Sequence, residues 1–371
     1  MEITTYPLQS ISMEQAKALQ FKVIDVITRH FNGREVLSSG DLGVVPGLNK
    51  PVTTKKAEEA IAEIFGAERA LLVRGSGTGA LRWALLSILR PGDTLLVHEA
   101  PVYPTTQVTA EGMGLNLLCA NYNDPASIEQ VVSAHKGEIK GVLVQLTRQK
   151  IDDSYNLEAV LLQLKSLMPE TPIVTDDNYA AMKVEKIGCQ AGADLSSFSC
   201  FKLLGPEGVG VLVGARRYID VAEKWQYSGG SQVQGHEAMA VLRGLTYAPV
   251  ALAVQSEVNE ELVCRLNAGE LPGVRRAFLA NAQSKVLLVE FDGDCAEAVL
   301  RVTPELGAAS HPVGSESIYE FAPMIYRVSG TFRAQDPSLE RRMVRINPMR
   351  SGADTILRIL GEALARVQGG K

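Results

Sequence analysis

Lys202 is the residue with the clearest potential for chemistry. It follows a short run of mixed apolar and polar residues, Leu195 to Phe201, and it precedes a Gly-Pro-Glu-Gly turn and a second apolar run, Val209 to Val213. This pattern predicts a strand, a loop and a strand. Neighbours can desolvate a lysine on such a tight loop and favour the neutral amine that attacks a carbonyl carbon in Schiff-base chemistry. Most lysines in loops are solvated and inert, so a reactive role for Lys202 needs support from other parts of the sequence.

A glycine-rich turn earlier in the chain predicts an anion site. An apolar strand, Ala70 to Arg74, ends in Gly75-Ser76-Gly77-Thr78-Gly79, and leucines then recur at helical spacing. Unpaired N–H groups in the first turn of a helix, together with the helix dipole, favour a bound phosphate. Two alternatives stay open. The spacing Gly75-x-Gly77-x-x-Ala80, with Glu99 further along, fits a dinucleotide fingerprint, and glycines can also serve helix packing alone.

Acidic and aromatic residues follow two further apolar runs. Strand and helix patterns alternate between residues 93 and 176, which predicts a parallel sheet with crossover helices. In such sheets the active groups lie at the carboxyl ends of the strands, and the sequence Asp176-Asp177-Asn178-Tyr179 comes at such an end. Tyr103, in a loop stiffened by prolines, follows another strand. Paired Asp residues can equally cap a turn, and a tyrosine can simply buttress a loop.

In order and spacing, these segments resemble the fold-type I pyridoxal-phosphate (PLP) enzymes of the aspartate aminotransferase superfamily. The resemblance rests on the turn at Ser76, on Asp176 at its strand end and on Ser199-x-x-Lys202, and it spans nearly the whole chain. The lysine segment is most similar to the selenocysteine-synthase-like and cystathionine-lyase-like branches, whereas the whole sequence resembles an uncharacterised bacterial family of aminotransferase-like proteins. The resemblance implies an α/β fold with a mostly parallel large-domain sheet and a smaller α/β C-terminal domain. It also implies bound PLP and a homodimer.

The resemblance assigns roles to the reacting groups. Lys202 holds PLP as a Schiff base and later removes the α-proton of an amino-acid substrate. Asp176 pairs with the pyridine nitrogen, or Asp177 does if the match shifts to the Asp-Asn pattern of cystathionine lyases. Tyr103 stacks on the cofactor ring, with His98 as the second choice.

Binding roles follow from the same resemblance. Tyr179 contacts the ring hydroxyl, and Arg345 holds the substrate carboxylate, although nearby arginines make a solvated basic face an alternative. The phosphate is held by Ser76, Gly77, Thr78 and Ser199, with Ser231 supplied by the neighbouring subunit.

The reaction type stays open because the chain departs from both branches. The aminotransferase branch has an arginine eight residues after the lysine, where this chain has Gly210, and the Tyr-x-Arg pair of cystathionine lyases does not occur in the N-terminal third. The whole-chain resemblance favours an aminotransferase-like activity, with a β/γ-elimination lyase or an aldolase as the alternative. More distant alternatives are an NAD(P)-dependent dehydrogenase that uses the glycine turn, and a non-catalytic cofactor-binding regulator. Arg148 and Arg333 are candidates for binding a second substrate anion.

Length and composition bound the remaining possibilities. A chain of 371 residues predicts two domains. The resemblance assigns 1–53 to an arm packed on the small domain, 54–250 to the large PLP-binding domain and 251–371 to the small domain. A net charge of -5 without a basic run argues against nucleic acid as a partner. We also expect no membrane span, no disulfide or zinc site from the five scattered cysteines, and a cytoplasmic location.

Overall fold

The computed structural model describes residues 3–147, 150–282, 285–313 and 316–369, which form two compact units. The larger unit comprises the described parts of 14–147 and 154–249. The smaller unit comprises the described parts of 1–13, 148–153 and 250–371. The predicted domain boundary at residue 250 lies next to this division.

A seven-stranded sheet forms the centre of the larger unit, in the order β1-β7-β6-β5-β4-β2-β3. Its strands are β1 (Arg69–Arg74), β2 (Thr94–His98), β3 (Asn116–Ala120), β4 (Ile139–Gln145), β5 (Ile173–Asp176), β6 (Leu195–Ser199) and β7 (Val209–Gly214). β7 is antiparallel to both of its neighbours, whereas the other paired strands are parallel. The carboxyl ends of β1, β5 and β6 therefore meet at one edge of the sheet, where β7 begins.

Helices surround this sheet. They are α1 (Met13–His30), α2 (Val52–Phe65), α3 (Ser76–Ile88), α4 (Pro104–Gly112), α5 (Pro125–His135), α6 (Leu157–Leu167) and α7 (Arg216–Trp225). α3 buries Ala80, Ala84 and Leu85, which recur at helical spacing, against the central strands. The strands β5, β6 and β7 are buried along their whole length. β7 is accordingly apolar, whereas β6 also buries three serines.

The predicted N-terminal arm, 1–53, is divided between the two units. Thr5 donates to the carbonyl of Leu279 in the smaller unit at 2.6 Å. α1, in contrast, contacts α2 of the larger unit: the Lys22 amine donates to the carbonyl of Ile64 at 2.8 Å. Asp41 accepts the N–H of Val52 at 2.7 Å and so fastens the following loop to the start of α2. Only the described residues up to 13 thus group with the C-terminal part of the chain.

The smaller unit contains an antiparallel sheet in the order β10-β11-β9-β8. Its strands are β8 (Val274–Ala280), β9 (Val286–Phe291), β10 (Met324–Arg327) and β11 (Met343–Asn347), and its helices are α9 (Ala296–Val302), α10 (Gly330–Gln335), α11 (Leu339–Arg342) and α12 (Ala353–Gly369). Apolar residues of β9 and β11 pack on α12 to form the core.

A long helix, α8 (Gly235–Asn267), contains the boundary between the units. The sequence pattern of 235–267 predicts a long helix that is interrupted at Pro249. The interruption is wrong, because the helix continues through this residue. Buried side chains on both sides, including Ala248 and Leu252, hold the helix together where the proline removes one hydrogen bond. By length and composition alone, the segment 229–267 is also long and apolar enough to cross a membrane. This is weak evidence for a span, since 56% of its most apolar window is buried, as in core helices.

Candidate active site

Three loops converge at the edge of the large sheet where β1, β5 and β6 end. They carry the glycine turn before α3, the acidic segment after β5 and the lysine loop between β6 and β7. β7 begins opposite the end of β1, and the carbonyl of Gly208 accepts the N–H groups of Gly75 at 2.8 Å and Ser76 at 3.1 Å. The lysine loop and the glycine turn are thus joined directly by backbone hydrogen bonds.

Lys202 lies in a single 3₁₀ turn, Cys200–Leu203, that follows β6. Leu204 ends the turn in the left-handed conformation, with φ of 58°. The Lys202 amine is 3.9 Å from the centre of the Tyr179 ring. Burial lowers the pKa of this amine, and the Asp176 carboxylate and the Tyr103 phenol oppose the shift. The site therefore favours the neutral amine that nucleophilic and basic chemistry needs.

The two neighbouring aspartates have different surroundings. Burial raises the pKa of Asp176, and the Lys202 charge and hydrogen bonds from Asn178 oppose this shift. Asp177 is fully buried, at 0% exposure, and accepts the Thr175 hydroxyl at 2.7 Å. Burial raises the pKa of Asp177 to about 7, although hydrogen bonds from the Ser196 and Thr175 hydroxyls favour the charged form. Of these two carboxylates, Asp176 is the one whose charge raises the pKa of Lys202.

The glycine turn has the geometry of an anion site. Gly75 and Ser76 have φ of 96° and 56°, and α3 begins at Ser76. Because the Ser76 N–H is bound to Gly208, the N–H groups of Gly77 and Thr78 are the ones offered by the first turn of the helix. The Thr78 hydroxyl is 3.1 Å from the Thr105 hydroxyl of α4.

Gly210, at the position of the aminotransferase arginine, lies against the start of α3. A Cβ atom at this position would be 2.1 Å from the carbonyl oxygen of Ser76 and 3.1 Å from the Cβ of Ala80. This packing leaves no room for any side chain. The departure from the aminotransferase pattern thus follows from how closely β7 and α3 approach each other.

The aromatic candidates occupy different places. Tyr103 is 43% exposed at the start of α4, and its phenol is close enough to raise the pKa of Lys202. Tyr179, with φ of 66°, lies directly beside the lysine amine. The His98 ring is buried against Tyr122, at 5.2 Å between ring centres, and its Nδ1 accepts the Tyr122 N–H at 3.0 Å. These contacts give His98 a place in the core and favour Tyr103 as the stacking residue.

Two further binding candidates lie in the larger unit. Ser199 ends β6, is buried, and donates its N–H to the side-chain oxygen of Asn178 at 3.0 Å. Ser231 belongs to a short 3₁₀ turn, Gly229–Ser231, in which its N–H binds the carbonyl of Ser228 at 2.8 Å. The role of Ser231 in a neighbouring subunit stays a prediction.

The arginine candidates lie in the smaller unit or outside the described residues. Arg345 is on β11, with its side chain buried and its guanidinium 4.0 Å from the centre of the Tyr326 ring. Its role as a carboxylate ligand stays a prediction. Arg333 donates to Glu340 at 2.8 Å, which engages its guanidinium in an ion pair. Arg148 lies outside the described residues.

Asn178 is the residue of this site whose importance the sequence analysis missed. Its side-chain amide contacts the acidic segment, the end of β6 and the glycine turn. The only signal for it in the sequence is its place directly after the Asp pair. Asparagine is common in turns, so the sequence alone did not separate a binding role from a turn.

Taken together, these residues fit PLP. A buried amine with a lowered pKa suits the aldehyde of the cofactor, a buried carboxylate near it suits the ring nitrogen, and the first turn of α3 suits the phosphate. All three lie at one edge of one sheet. A dinucleotide would leave Lys202 and Asp176 without a role.

Comparisons with known proteins agree with this fit. Residues 48–268 match the family described as Cys/Met metabolism PLP-dependent enzyme, and residues 260–360 match the family described as YhfS-like, C-terminal domain. The chain is 51% identical over 363 residues to the Uncharacterized protein YhfS of Escherichia coli (strain K12), a match that covers 98% of this chain and 99% of the relative.

Solved structures show the same fold. The crystal structure of the pyridoxal-5'-phosphate dependent protein YhfS from Escherichia coli is similar with a TM-score of 0.95 at 51% identity, covering 98% of this chain and 99% of that chain. Cystathionine gamma synthase from Xanthomonas oryzae pv. oryzae is similar with a TM-score of 0.69 at 17% identity, covering 95% and 99% of the two chains. At this low identity the second likeness shows the fold alone.

The family match corrects the preference for an aminotransferase-like activity. A family of Cys/Met metabolism supports the lyase alternative better than the aminotransferase-like interpretation. It also makes the dinucleotide interpretation of the glycine turn unnecessary. The chain is a fold-type I, PLP-dependent enzyme, and it belongs to the family of Cys/Met metabolism PLP-dependent enzymes.

Proposed function

We propose that this PLP-dependent enzyme is a lyase that breaks down an amino acid by β- or γ-elimination, with Lys202 as its covalent attachment point and base. The site assignment rests on one observation. The buried Lys202 amine interacts electrostatically with the Asp176 carboxylate, at the same edge of the sheet as the glycine turn. The family match and the closed space at Gly210 favour a lyase over an aminotransferase. Sulfur-containing amino acids are the first substrates to test, because the family is named for cysteine and methionine metabolism.

The chain's own groups divide the work. Bound PLP supplies an aldehyde that condenses with amines and a ring that accepts electrons. The Asp176 carboxylate holds a proton on the ring nitrogen through a charge-assisted hydrogen bond. The Lys202 amine, whose pKa burial lowers and which lies over the Tyr179 ring, takes the α-proton of the substrate.

Binding groups complete the proposal. The N–H groups of Gly77 and Thr78, with the Ser76 and Ser199 side chains, hold the phosphate, and Tyr103 stacks on the ring. Arg345 binds the substrate carboxylate, for which its planar, two-pronged guanidinium is well shaped. Ser231 contributes from the neighbouring subunit of a homodimer.

The attachment point is tested with Lys202→Ala. The purified wild-type protein is expected to show the visible absorbance of PLP bound to a lysine, and borohydride reduction should fix the cofactor on the peptide that contains Lys202. Lys202→Ala should lose both signals. Lys183→Ala, which removes another buried lysine of the same unit, should keep them. Unchanged colour in Lys202→Ala would refute the assignment.

The reaction type is tested with cysteine, cystathionine and methionine as separate substrates. Elimination releases ammonia and a keto acid over many turnovers and leaves the cofactor spectrum restored. Transamination instead converts the cofactor once, releases no ammonia, and needs a keto acid to restore the spectrum. The second outcome would contradict the lyase proposal but would leave the role of Lys202 intact.

A further inference from the structure

The side chain of Asn178 connects the three loops of the proposed cofactor site. It directly follows the Asp pair at the end of β5, and its carbonyl and amide groups face two different loops. The glycine turn forms a third contact. No other role in the proposed reaction accounts for these contacts.

Its amide nitrogen is directed at Asp176. The side-chain NH₂ of Asn178 donates to Oδ1 of Asp176 at 2.7 Å, and the backbone N–H of Asn178 donates to the same oxygen at 3.1 Å. Two donors on one oxygen hold the carboxylate in a single rotamer and stabilise its charged form. The second oxygen, Oδ2, is then the one left for the ring nitrogen.

Its amide oxygen is directed at the segment that carries the lysine. Oδ1 of Asn178 accepts the N–H of Ser199 at 3.0 Å, and Lys202 follows three residues later. The orientation of the amide is therefore determined on both sides, since only the NH₂ can donate to Asp176 and only the oxygen can accept from Ser199.

Gly77 closes the remaining side. A Cβ atom on Gly77 would be 2.4 Å from Oδ1 and 2.6 Å from Nδ2 of Asn178. The amide therefore packs directly on the bare backbone of the first turn of α3, where we place the phosphate. The amide thus contacts all three loops at once.

We propose that Asn178 is a positioning residue, which orients the Asp176 carboxylate toward the cofactor ring and sets its distance from the phosphate turn and the Lys202 loop. This inference rests on the proposed function, because it assigns the ring nitrogen to Asp176. Asn178 acts through Asp176 and does not itself take part in the reaction.

The test uses Asn178→Asp, which keeps an oxygen to accept from Ser199 but removes the donor to Asp176. Apoprotein is titrated with PLP, and the dissociation constant is measured across a range of pH. Loss of a hydrogen bond to a charged group should weaken PLP binding about 10- to 100-fold. The loss of binding on the acid side should also move to higher pH, because the side-chain donor no longer stabilises the charged form of Asp176. The other titratable groups coupled to Asp176 are Lys202, whose charge lowers the pKa of Asp176, and Asp177, whose pKa Asp176 raises.

A second variant and a control separate positioning from folding. Asn178→Ala removes donor and acceptor without adding charge and should shift the pH profile in the same direction. Thr147→Val replaces with a methyl group the hydroxyl that donates to the backbone carbonyl of Asn178 at 3.3 Å, and it should keep wild-type PLP affinity and pH profile. The melting temperature of each apoprotein reports on folding independently of the cofactor.

The outcomes distinguish this inference from the proposed function. If wild-type protein binds PLP through Lys202 and both Asn178 variants retain its affinity and pH profile, the positioning role is overturned while the proposed function stands. A pH profile that moves equally in Thr147→Val also overturns it. If the wild type shows no Lys202-dependent absorbance, the proposed function itself fails.

Discussion

Asp177 should make the larger unit less stable as the pH rises from about 4 to about 7. Burial raises the pKa of this carboxyl from an ordinary value of 3.8 to about 7. The folded protein therefore keeps a proton on Asp177 over a pH range in which the unfolded chain has lost it. Each unit of pH in that range lowers the free energy of unfolding by about 1.4 kcal/mol, so the loss between about pH 4 and pH 7 is of the order of 4 kcal/mol.

The variant Asp177→Asn removes this titration with little change in shape. The Thr175 hydroxyl, which donates to Asp177 at 2.7 Å, can donate to the amide oxygen or accept from the amide nitrogen. We expect the variant to resemble the wild type near pH 4 and to be more stable above pH 7, with a flatter pH dependence between.

The measurement is urea unfolding of both proteins as apoprotein at intervals from pH 4 to pH 8, with the difference in midpoint plotted against pH. The Asp176 carboxylate helps to raise the pKa of Asp177. Because Asp176 is also the proposed partner of the cofactor ring, unfolding is measured without cofactor so that cofactor binding does not contribute to the curve. Two curves that run parallel throughout this range would refute the reasoning. If the stability of the variant relative to the wild type falls as the pH rises, the sign of the predicted effect is wrong.

Three further predictions concern packing, recognition and a buried charge. Gly210→Ala should lower the free energy of unfolding by about 1–3 kcal/mol, because its Cβ would be 2.1 Å from a carbonyl oxygen at the start of α3. Gly137→Ala is the control, since open space surrounds Gly137 and its stability should not fall. Thermal unfolding compares the two variants. Arg345→Lys should raise KM for the amino acid and leave the visible absorbance of the bound cofactor unchanged, which steady-state kinetics and spectroscopy check together. Lys50→Met should cost about 3–5 kcal/mol in urea unfolding, because it leaves the buried carboxylate of Glu58, now 2.7 Å from the Lys50 amine, without its cation.

Elements with strong local signals were predicted closely from the sequence. The sequence patterns predict helices over 125–135 and 235–267, and α5 (Pro125–His135) and α8 (Gly235–Asn267) have these bounds. A helix-starting proline marks the first, and a long apolar pattern marks the second. β8 (Val274–Ala280) was missed, since charged residues occupy part of it and its pairing with β9 is what makes it a strand. The continuity of α8 through Pro249 depends on packing, which no local pattern describes.

The sequence by itself determined the parts of the candidate site and their order. A glycine turn, an acidic strand end and a lysine loop are local patterns, and their order along the chain was enough to indicate PLP and fold type I, which the family match and the similar crystal structure support. It did not determine the reaction type, for which its preferred interpretation was the less supported one.

Only the tertiary structure decided how those parts meet. In the sequence, nothing distinguishes Asp176 from Asp177. In the fold, successive residues at a strand end point to opposite sides. The residues packed on each side determine which carboxylate interacts with Lys202. The closed space at Gly210 and the contacts of Asn178 likewise join segments far apart in the chain. Such contacts depend on the packing of α3 against the sheet, and distances across a fold are not written in the spacing of residues along it.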